Sequence, residues 1–225
     1  MERSFGPDRR PLLLWPLVLA LYVFGARAEI IDRIAVSVGD RIITSSDLDR
    51  EIRVTAFLNG VKADFSAATK RTTAERMVEQ KLVQRELESS RYPTPQADDI
   101  LPALDEFKKS FYPNEGDYRR ALSEYGITDQ DVKGALLWQR TLLEFIEVRF
   151  RPSVQVTDQQ IQDYFDKVVA PAARTAHPTA PVSLGDYRTQ IEQTLTGQRE
   201  DEEMDTWLRD ARRRTEIVYH EEALQ

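Results

Sequence analysis

The chain has 225 residues, of which 41% are hydrophobic and 31% are charged, and its formal net charge is −7. This composition is typical of one or two globular domains and excludes an intrinsically disordered chain. An acidic protein is repelled by phosphate backbones, so nucleic acid is not expected as a partner. The chain has no cysteine, so disulfides do not contribute to its stability.

The first 28 residues have the three parts of a secretory signal peptide. A basic start precedes an uncharged apolar run over 11–26, which ends in the A-x-A cleavage pattern at Ala26-Arg27-Ala28. This order predicts export with cleavage after Ala28. The run is shorter than the roughly 20 residues that a membrane-spanning helix needs. An uncleaved anchor in the inner membrane, formed by residues 11–26, is the alternative.

The chain after the signal peptide begins with the pattern of a hairpin followed by a helix. Apolar and smaller residues alternate over 34–38, as in a half-buried strand. Gly39-Asp40 is a two-residue turn, so we expect a second strand over 41–43. Thr44 is followed by an acidic residue three positions later, which predicts an N-cap and a helix over 45–58.

The same start signal recurs along the chain. It is found at Asn114, Thr128, Thr157 and Ser183, where an acidic residue or a glutamine again follows three positions later. Thr94-Pro95 opens another helix, with proline at the first helical position. With the apolar spacing, these signals predict helices over 67–90, 95–110, 115–125, 129–150, 158–169 and 184–213.

Two helices have expected irregularities. Pro102 falls inside the helix over 95–110 and predicts a kink there. In the helix over 184–213, the apolar residues before and after Gly197 lie on nearly opposite faces. That helix must therefore change its packing partners along its length or break near Gly197.

The helix over 129–150 is apolar over a broad arc. Val132, Leu136, Leu143, Ile146 and Phe150 share one face, and Trp138, Leu142 and Phe145 share an adjoining one. A helix of this kind is either sandwiched between neighbours, which is the commoner arrangement, or partly exposed for a partner.

The last strand pattern, over 216–220, needs an edge to pair with, and the other strand patterns lie at residues 30–43. We therefore predict that both ends of the exported chain meet in one sheet. The predicted fold class is mainly α, a helical module of about six to seven helices with a small antiparallel sheet joining the N-terminal hairpin and the C-terminal strand. Residues 170–182 contain several prolines and no periodicity, which predicts a linker between 29–169 and 183–225 of this module.

The order of these elements resembles the SurA/parvulin-associated chaperone family. Residues 31–48 (IDRIAVSVGDRIITSSDL) are similar to that family's opening hairpin and first helix. Residues 156–165 (VTDQQIQDYF) resemble its "V-T/S-D-E-E-I-x-x-Y-Y/F" helix, and residues 207–217 (WLRDARRRTEI) resemble its closing helix and strand. Blocks at 77–83 and 128–150 resemble the helices between them, so the resemblance covers nearly all of residues 30–220.

The chain departs from the family in one respect. A parvulin isomerase domain usually lies between the "Y-Y/F" helix and the closing helix, which is predicted here to begin near residue 184. The interval in this chain is Asp166–Val182, which is too short for a domain with its own core. The resemblance therefore implies the chaperone half alone. That half is expected to be a periplasmic, ATP-independent holdase that binds unfolded envelope or outer-membrane protein precursors in an apolar helical cradle.

No catalytic residue, cofactor or metal is expected. The sequence has no phosphate-binding loop, so nucleotide is not expected as a partner. His177 and His220, the two histidines, are expected to be solvated. The acidic run Glu200–Asp205 lacks the glycine and ligand spacing of a calcium loop and is expected to be a solvated helix face. Trp207 is expected in the core.

Other functions and assemblies stay open at this point. A membrane-anchored adaptor with one fixed partner is the main alternative, and a peptidyl-prolyl isomerase is a further one. A homodimer formed by swapping the terminal helix is also open, because residues 170–181 provide a possible hinge.

A holdase needs exposed apolar surface with a polar rim rather than a reactive group. The candidates for client contact are the aromatic residues outside the clearest core stripes. They are Phe57, Phe65, Phe111, Tyr112, Tyr118 and Tyr125. Local packing against neighbouring helices is the alternative for each of them.

Overall fold

The fold is mainly helical with a small sheet, which confirms the fold class predicted from the sequence. The computed structural model describes Met1 and residues 32–176 and 181–225. The apolar run over 11–26, the cleavage pattern and His177 therefore lie outside the described residues. Within the described part of the chain, no helix is long and apolar enough to cross a membrane.

A three-stranded antiparallel sheet joins the two ends of the described chain. Its strands are β1 (Ile34–Val38), β2 (Arg41–Thr44) and β3 (Ile217–Tyr219), in the order β2-β1-β3. Val36 lies opposite Tyr219 in the pairing of β1 with β3. The prediction that both ends meet in one sheet is confirmed.

Five of the helices begin and end close to the predicted positions, whereas α3, α6 and α7 differ from the prediction. Their bounds are α1 Ser45–Leu58, α2 Ala67–Ser89, α3 Leu101–Phe111, α4 Glu115–Tyr125, α5 Asp129–Arg149, α6 Asp158–Tyr164, α7 Ala170–Ala176 and α8 Leu184–Arg214. Thr44, Thr128 and Thr157 each form a capping box, in which two backbone N–H groups of the first turn are satisfied reciprocally. Asn114 caps α4 by accepting from the Asp117 backbone N–H.

The region around Pro102 differs from the prediction. A 3₁₀ turn over Ala97–Ile100 is capped by Gln96, and α3 begins only at Leu101. Pro102 therefore lies in the first turn of α3, where its missing N–H breaks no intrahelical bond. The prediction of a helix from Thr94-Pro95 with a kink at Pro102 is wrong for this reason.

Helical structure extends into the predicted linker. α6 passes into a π-helix over Phe165–Val169, in which the Ala170 N–H donates to the Phe165 carbonyl, and α7 follows. In a regular α-helix, Pro171 would clash with the Lys167 carbonyl and leave it without a donor, and the wider π turn relieves that conflict. The prediction of an aperiodic linker is therefore wrong for 170–176. Residues 177–180 lie outside the description.

Four apolar clusters stabilise these elements. The first joins the inner face of the sheet to α2, the end of α8 and the C-terminal residues Ala223 and Leu224. The second lies between α1, α3, α4 and the start of α5. The third joins α6, the π-helix and α7 to the first half of α8. The fourth joins α2 to the end of α5 and includes the half-buried Trp207.

The helix α8 runs without interruption through Gly197 and changes its partners. Ile191 packs in the third cluster, whereas Leu208 and Ala211 pack in the first. This outcome confirms the prediction that the switch of its apolar face requires different neighbours along its length.

Candidate functional site

An open groove of about 700 Å³ lies between α1, α2 and α5, and Met204 of α8 also lines it. We call it the α2–α5 groove. Its apolar lining consists of Val54, Leu58, Met77, Val83, Ala135, Trp138, Leu142 and Met204. Its polar lining includes the amide side chains of Asn59, Gln80, Gln130 and Gln139 and several charged residues. The groove is therefore amphipathic and open to solvent.

The groove exists because α5 is only partly covered. Val132 and Phe145 of α5 are buried, but Leu136, Trp138 and Leu142 between them are only half-buried. The sandwiched arrangement expected for this helix is therefore wrong for its middle turns. The broad apolar arc of α5 exceeds what its neighbours cover. Trp138 and Leu142 line the groove, whereas Leu143, which is 64% exposed, lies outside it.

Gly134 opens the groove to a neighbouring side cavity. A Cβ added at this helical position would meet no heavy atom within 4 Å. Gly134, Gln80 and Trp138 line both the groove and the side cavity, whose volume is about 320 Å³. The two spaces are therefore adjacent on either side of this glycine, and any side chain larger than hydrogen at position 134 would project into them.

The apolar lining is adaptable. Met77 and Met204 are unbranched thioethers that adopt many rotamers and accommodate apolar groups of different shape. Trp138 adds a large aromatic surface, and its indole N–H is a hydrogen-bond donor group. Such a lining suits varied apolar side chains rather than one ligand.

The fixed charges on the groove walls are partly paired. Arg50 of α1 lies 3.6 Å from Asp47 and 3.9 Å from Asp131 of α5. Glu79 of α2 pairs with Arg212 of α8 at 2.8 Å, part-buried at the packing of these two helices. The Arg50–Asp131 pair therefore links α1 to α5, and the Glu79–Arg212 pair links α2 to α8.

Two of the aromatic residues proposed for client contact are fully buried. Phe57 and Tyr118 are each only 1% exposed, so a surface role for them is wrong. Phe57 lies at the centre of a ring of aromatic residues. Its ring centroid is 5.6 Å from that of Phe107, 5.7 Å from Tyr112, 6.0 Å from Tyr118 and 5.4 Å from Tyr125.

Phe57 and Tyr118 are buried because α1, α3 and α4 converge at the ring of aromatic residues. Tyr112 and Tyr125 are half-buried against the same cluster, so the structure brings together four of the six candidates as core. Phe65 and Phe111 are exposed but do not line the groove. The Arg53 guanidinium lies over the Phe65 ring at 5.5 Å from its centroid. The candidate set and the groove therefore have no residue in common.

Tyr118 has a structural role at the start of α5. Its hydroxyl donates to Asp129 at 2.9 Å, and Lys108 Nζ lies 4.1 Å from the centroid of its ring. Burial and the bond to this carboxylate raise the pKa of Tyr118. Burial alone would raise the pKa of Asp129, but hydrogen bonds from Lys133 and Tyr118 outweigh it and lower that pKa. This network fixes α3, α4 and α5 beside the groove.

Sequence reasoning found Trp138 and Leu142 as an apolar face but missed the residues opposite them. Met77, Gln80 and Met204 lie on other helices, and their meeting depends on tertiary packing. The sequence did offer a signal of the groove at Gly134. A glycine inside an apolar helix weakens that helix and forms no turn there, which indicates another role. Over residues 32–176 and 181–225, no group of three or more His, Cys, Asp or Glu is arranged to hold a metal ion.

Comparisons of the chain with protein-family models, with curated proteins and with solved structures found no match.

Proposed function

We propose that the protein is an ATP-independent chaperone, a holdase that binds unfolded envelope or outer-membrane protein precursors in the α2–α5 groove. The observation that supports this most directly is the open groove of about 700 Å³ lined by Trp138, Met77 and Met204. The resemblance of residues 31–48, 156–165 and 207–217 to SurA-type chaperones supports the same function.

The groove suits weak and varied binding. Burial of one large apolar side chain contributes about 1.5–3 kcal/mol, and the methionines allow different side chains to fit. Several such contacts along one unfolded chain raise the overall affinity through effective concentration. Each contact dissociates readily by itself, so release needs no nucleotide.

The proposed location is the periplasm, after cleavage of the signal peptide at Ala28. We call residues 29–225 the mature chain, and all four apolar clusters and the sheet lie within it. Mass spectrometry of the exported protein tests this location. A mass that corresponds to a start at Glu29 supports it, whereas an intact apolar run supports the anchored adaptor.

A matched pair of glycine variants tests the groove. Gly134 and Gly197 both lie inside helices, and an added Cβ at either would meet nothing within 4 Å. Leucine at either position improves helix propensity by a similar amount. Only Gly134 lines the groove, so Gly134→Leu projects a bulky side chain into it and Gly197→Leu serves as the control.

The assay is the aggregation of a denatured outer-membrane barrel protein, followed by light scattering without ATP. We expect the mature chain and Gly197→Leu to suppress aggregation and Gly134→Leu to lose most of that effect. No suppression by the mature chain at several-fold molar excess would reject the chaperone function. Full suppression by Gly134→Leu would reject the groove as the binding site.

A further inference from the structure

A second open groove lies between α8 and α6 with the π-helix that follows α6. We call it the α6–α8 groove, and its volume is about 320 Å³. Its apolar lining consists of Tyr164, Val168 and Leu195. The two grooves are separate, because none of the described residues lines both of them.

The π-helix over Phe165–Val169 creates this lining. In a regular α-helix, Val168 would lie seven positions after Ile161 and would share its buried face. A π turn shifts the residues that follow it by about one position, which is about 100° around the axis. Val169 and Ala170 therefore pack inward in the third cluster, and Val168 is 48% exposed in the groove. Turns of this kind are rare and are found frequently at functional sites.

The charges that line the α6–α8 groove are balanced. Asp163 and Glu202 are acidic, and Lys167 and Arg199 are basic. Lys167 also lies 3.3 Å from Asp163, so these two charges pair with each other. A lining without net charge does not concentrate phosphate groups or metal ions. The groove therefore suits an uncharged apolar ligand.

The uncharged polar groups of the lining complement a polypeptide backbone. Gln160 Oε1 accepts from the Thr157 N–H at 2.9 Å in the cap of α6, which leaves the NH₂ group of Gln160 as a donor. The exposed amide of Gln198 both donates and accepts hydrogen bonds, and so does the hydroxyl of Tyr164. Together with the apolar lining, these groups fit an extended peptide segment with apolar side chains.

The two grooves lie on opposite sides of α8. Leu195 lines the α6–α8 groove and Met204 lines the α2–α5 groove, nine positions apart on the same helix. Nine positions are about two and a half turns and about 14 Å along the axis. A chain that passes around α8 from one groove to the other therefore covers about 20 Å, which about seven extended residues span.

We infer that the α6–α8 groove is a second client site, which binds a further apolar segment of the same unfolded polypeptide that occupies the α2–α5 groove. The apolar side chains of that segment lie against Tyr164, Val168 and Leu195, and its backbone bonds to the amides of Gln160 and Gln198. This inference rests on the proposed chaperone function and makes the binding of each client bivalent.

The test uses two dye-labelled peptides of equal length. The two-block peptide has two uncharged apolar blocks joined by twelve Gly and Ser residues, whose r.m.s. length of about 20 Å matches the path around α8. In the one-block peptide, serines replace the second block. Binding to the mature chain is measured by fluorescence anisotropy.

We expect the two-block peptide to bind about tenfold more tightly than the one-block peptide. An effective concentration on the order of 1 mM gives this gain when the second site has a Kd of about 0.1 mM. Two blocks that compete for a single site would raise the affinity only about twofold, by statistics alone.

Val168→Glu should reduce the gain to about twofold, because it places a charge in the apolar lining. The control is Val148→Glu, the same change at a residue that is 42% exposed and lines neither groove, and it should keep the tenfold gain. If Val168→Glu does not fold, Gln198→Arg in the groove replaces it, with the exposed Gln190→Arg on α8 as its control. A tenfold gain that persists in Val168→Glu or Gln198→Arg would overturn the inference.

The remaining outcomes separate this inference from the proposed function. A gain of twofold or less, with binding of both peptides abolished by Gly134→Leu, would overturn the second site and leave the chaperone groove in place. Binding of neither peptide would overturn both. A dimer of the unliganded mature chain that Val168→Glu converts to a monomer in sedimentation would show a second copy in the α6–α8 groove and would overturn the inference.

Discussion

Val38 lies opposite Ile217 in an antiparallel strand pair, although the two residues come from the two ends of the described chain. Hydrogen bonds outside the strands extend this closure, since the Gly39 N–H donates to the Glu216 carbonyl at 2.8 Å and the His220 N–H donates to the Ala35 carbonyl at 2.9 Å. The same cluster that buries the inner face of the sheet also buries Leu224. The C-terminal residues therefore stabilise the scaffold that supports α2.

Replacement of Leu224 tests this closure. Its side chain is 3% exposed and packs in the first apolar cluster. We expect Leu224→Ala to lower the free energy of unfolding by about 2–5 kcal/mol, since it removes buried methyl groups and leaves a cavity. Urea unfolding followed by circular dichroism measures the change. Gln225→Ala, at the exposed neighbouring residue, should have little effect, and equal stability of both variants would contradict the role of Leu224.

The Tyr118–Asp129 hydrogen bond makes stability depend on pH in the alkaline range. The fold raises the pKa of Tyr118 above its usual value of 10.0, so it favours the neutral phenol. The stabilisation is complete below that value and is lost as the pH rises above it. We expect Tyr118→Phe to cost about 1 kcal/mol at neutral pH, from the lost hydrogen bond, and to flatten the alkaline decline.

The measurement is urea unfolding at several values between neutral and alkaline pH. Some decline should remain in Tyr118→Phe, because burial also raises the pKa of Tyr112 and of Tyr92. Tyr112→Phe, at the half-buried neighbour, provides the comparison. An alkaline decline in Tyr118→Phe as steep as in the unaltered chain would show that Tyr118 does not contribute to it.

Much of the fold was predictable because its signals are local. The caps at Thr44, Thr128 and Thr157 satisfy the free N–H groups of a first turn, and they fix helix starts from a few adjacent residues. The predicted helix start at Thr94-Pro95 was wrong because the N-cap position is Gln96, two residues later, where the backbone N–H donates to the Asp99 carboxylate at 2.7 Å. The prediction of a linker was wrong for 170–176 because a π turn accommodates Pro171 within a helix. No local rule anticipates such a turn.

The groove was not predictable in the same way. Periodicity identifies Trp138 and Leu142 as apolar, but it does not say whether a neighbouring helix covers them. The aromatic candidates were chosen as residues outside the clear stripes, yet Phe57 and Tyr118 fill the junction of three helices. Only tertiary distances separate a buried junction from an open groove.

The capping box of α5 gives a further prediction, because α5 forms one wall of the groove. Thr128 Oγ1 accepts from the Asp131 N–H at 3.2 Å, and the Asp131 carboxylate accepts from the Thr128 N–H at 2.8 Å. We expect Thr128→Ala to lower the free energy of unfolding by about 1 kcal/mol. Thr128→Ser keeps the oxygen and should retain most of the stability in the same urea titration. An equal loss in both variants would contradict the capping role.

Site-specific photocrosslinking tests the central claim most directly, namely that unfolded clients lie in the α2–α5 groove. A photoreactive amino acid replaces Gln139, which lines the groove, or Gln190, which is exposed on α8 and lies outside the groove. We predict crosslinks to a denatured barrel protein from position 139 that disappear when Gly134→Leu is added, and few from position 190. Equal crosslinking from both positions, or crosslinking from 139 that persists with Gly134→Leu, would contradict it.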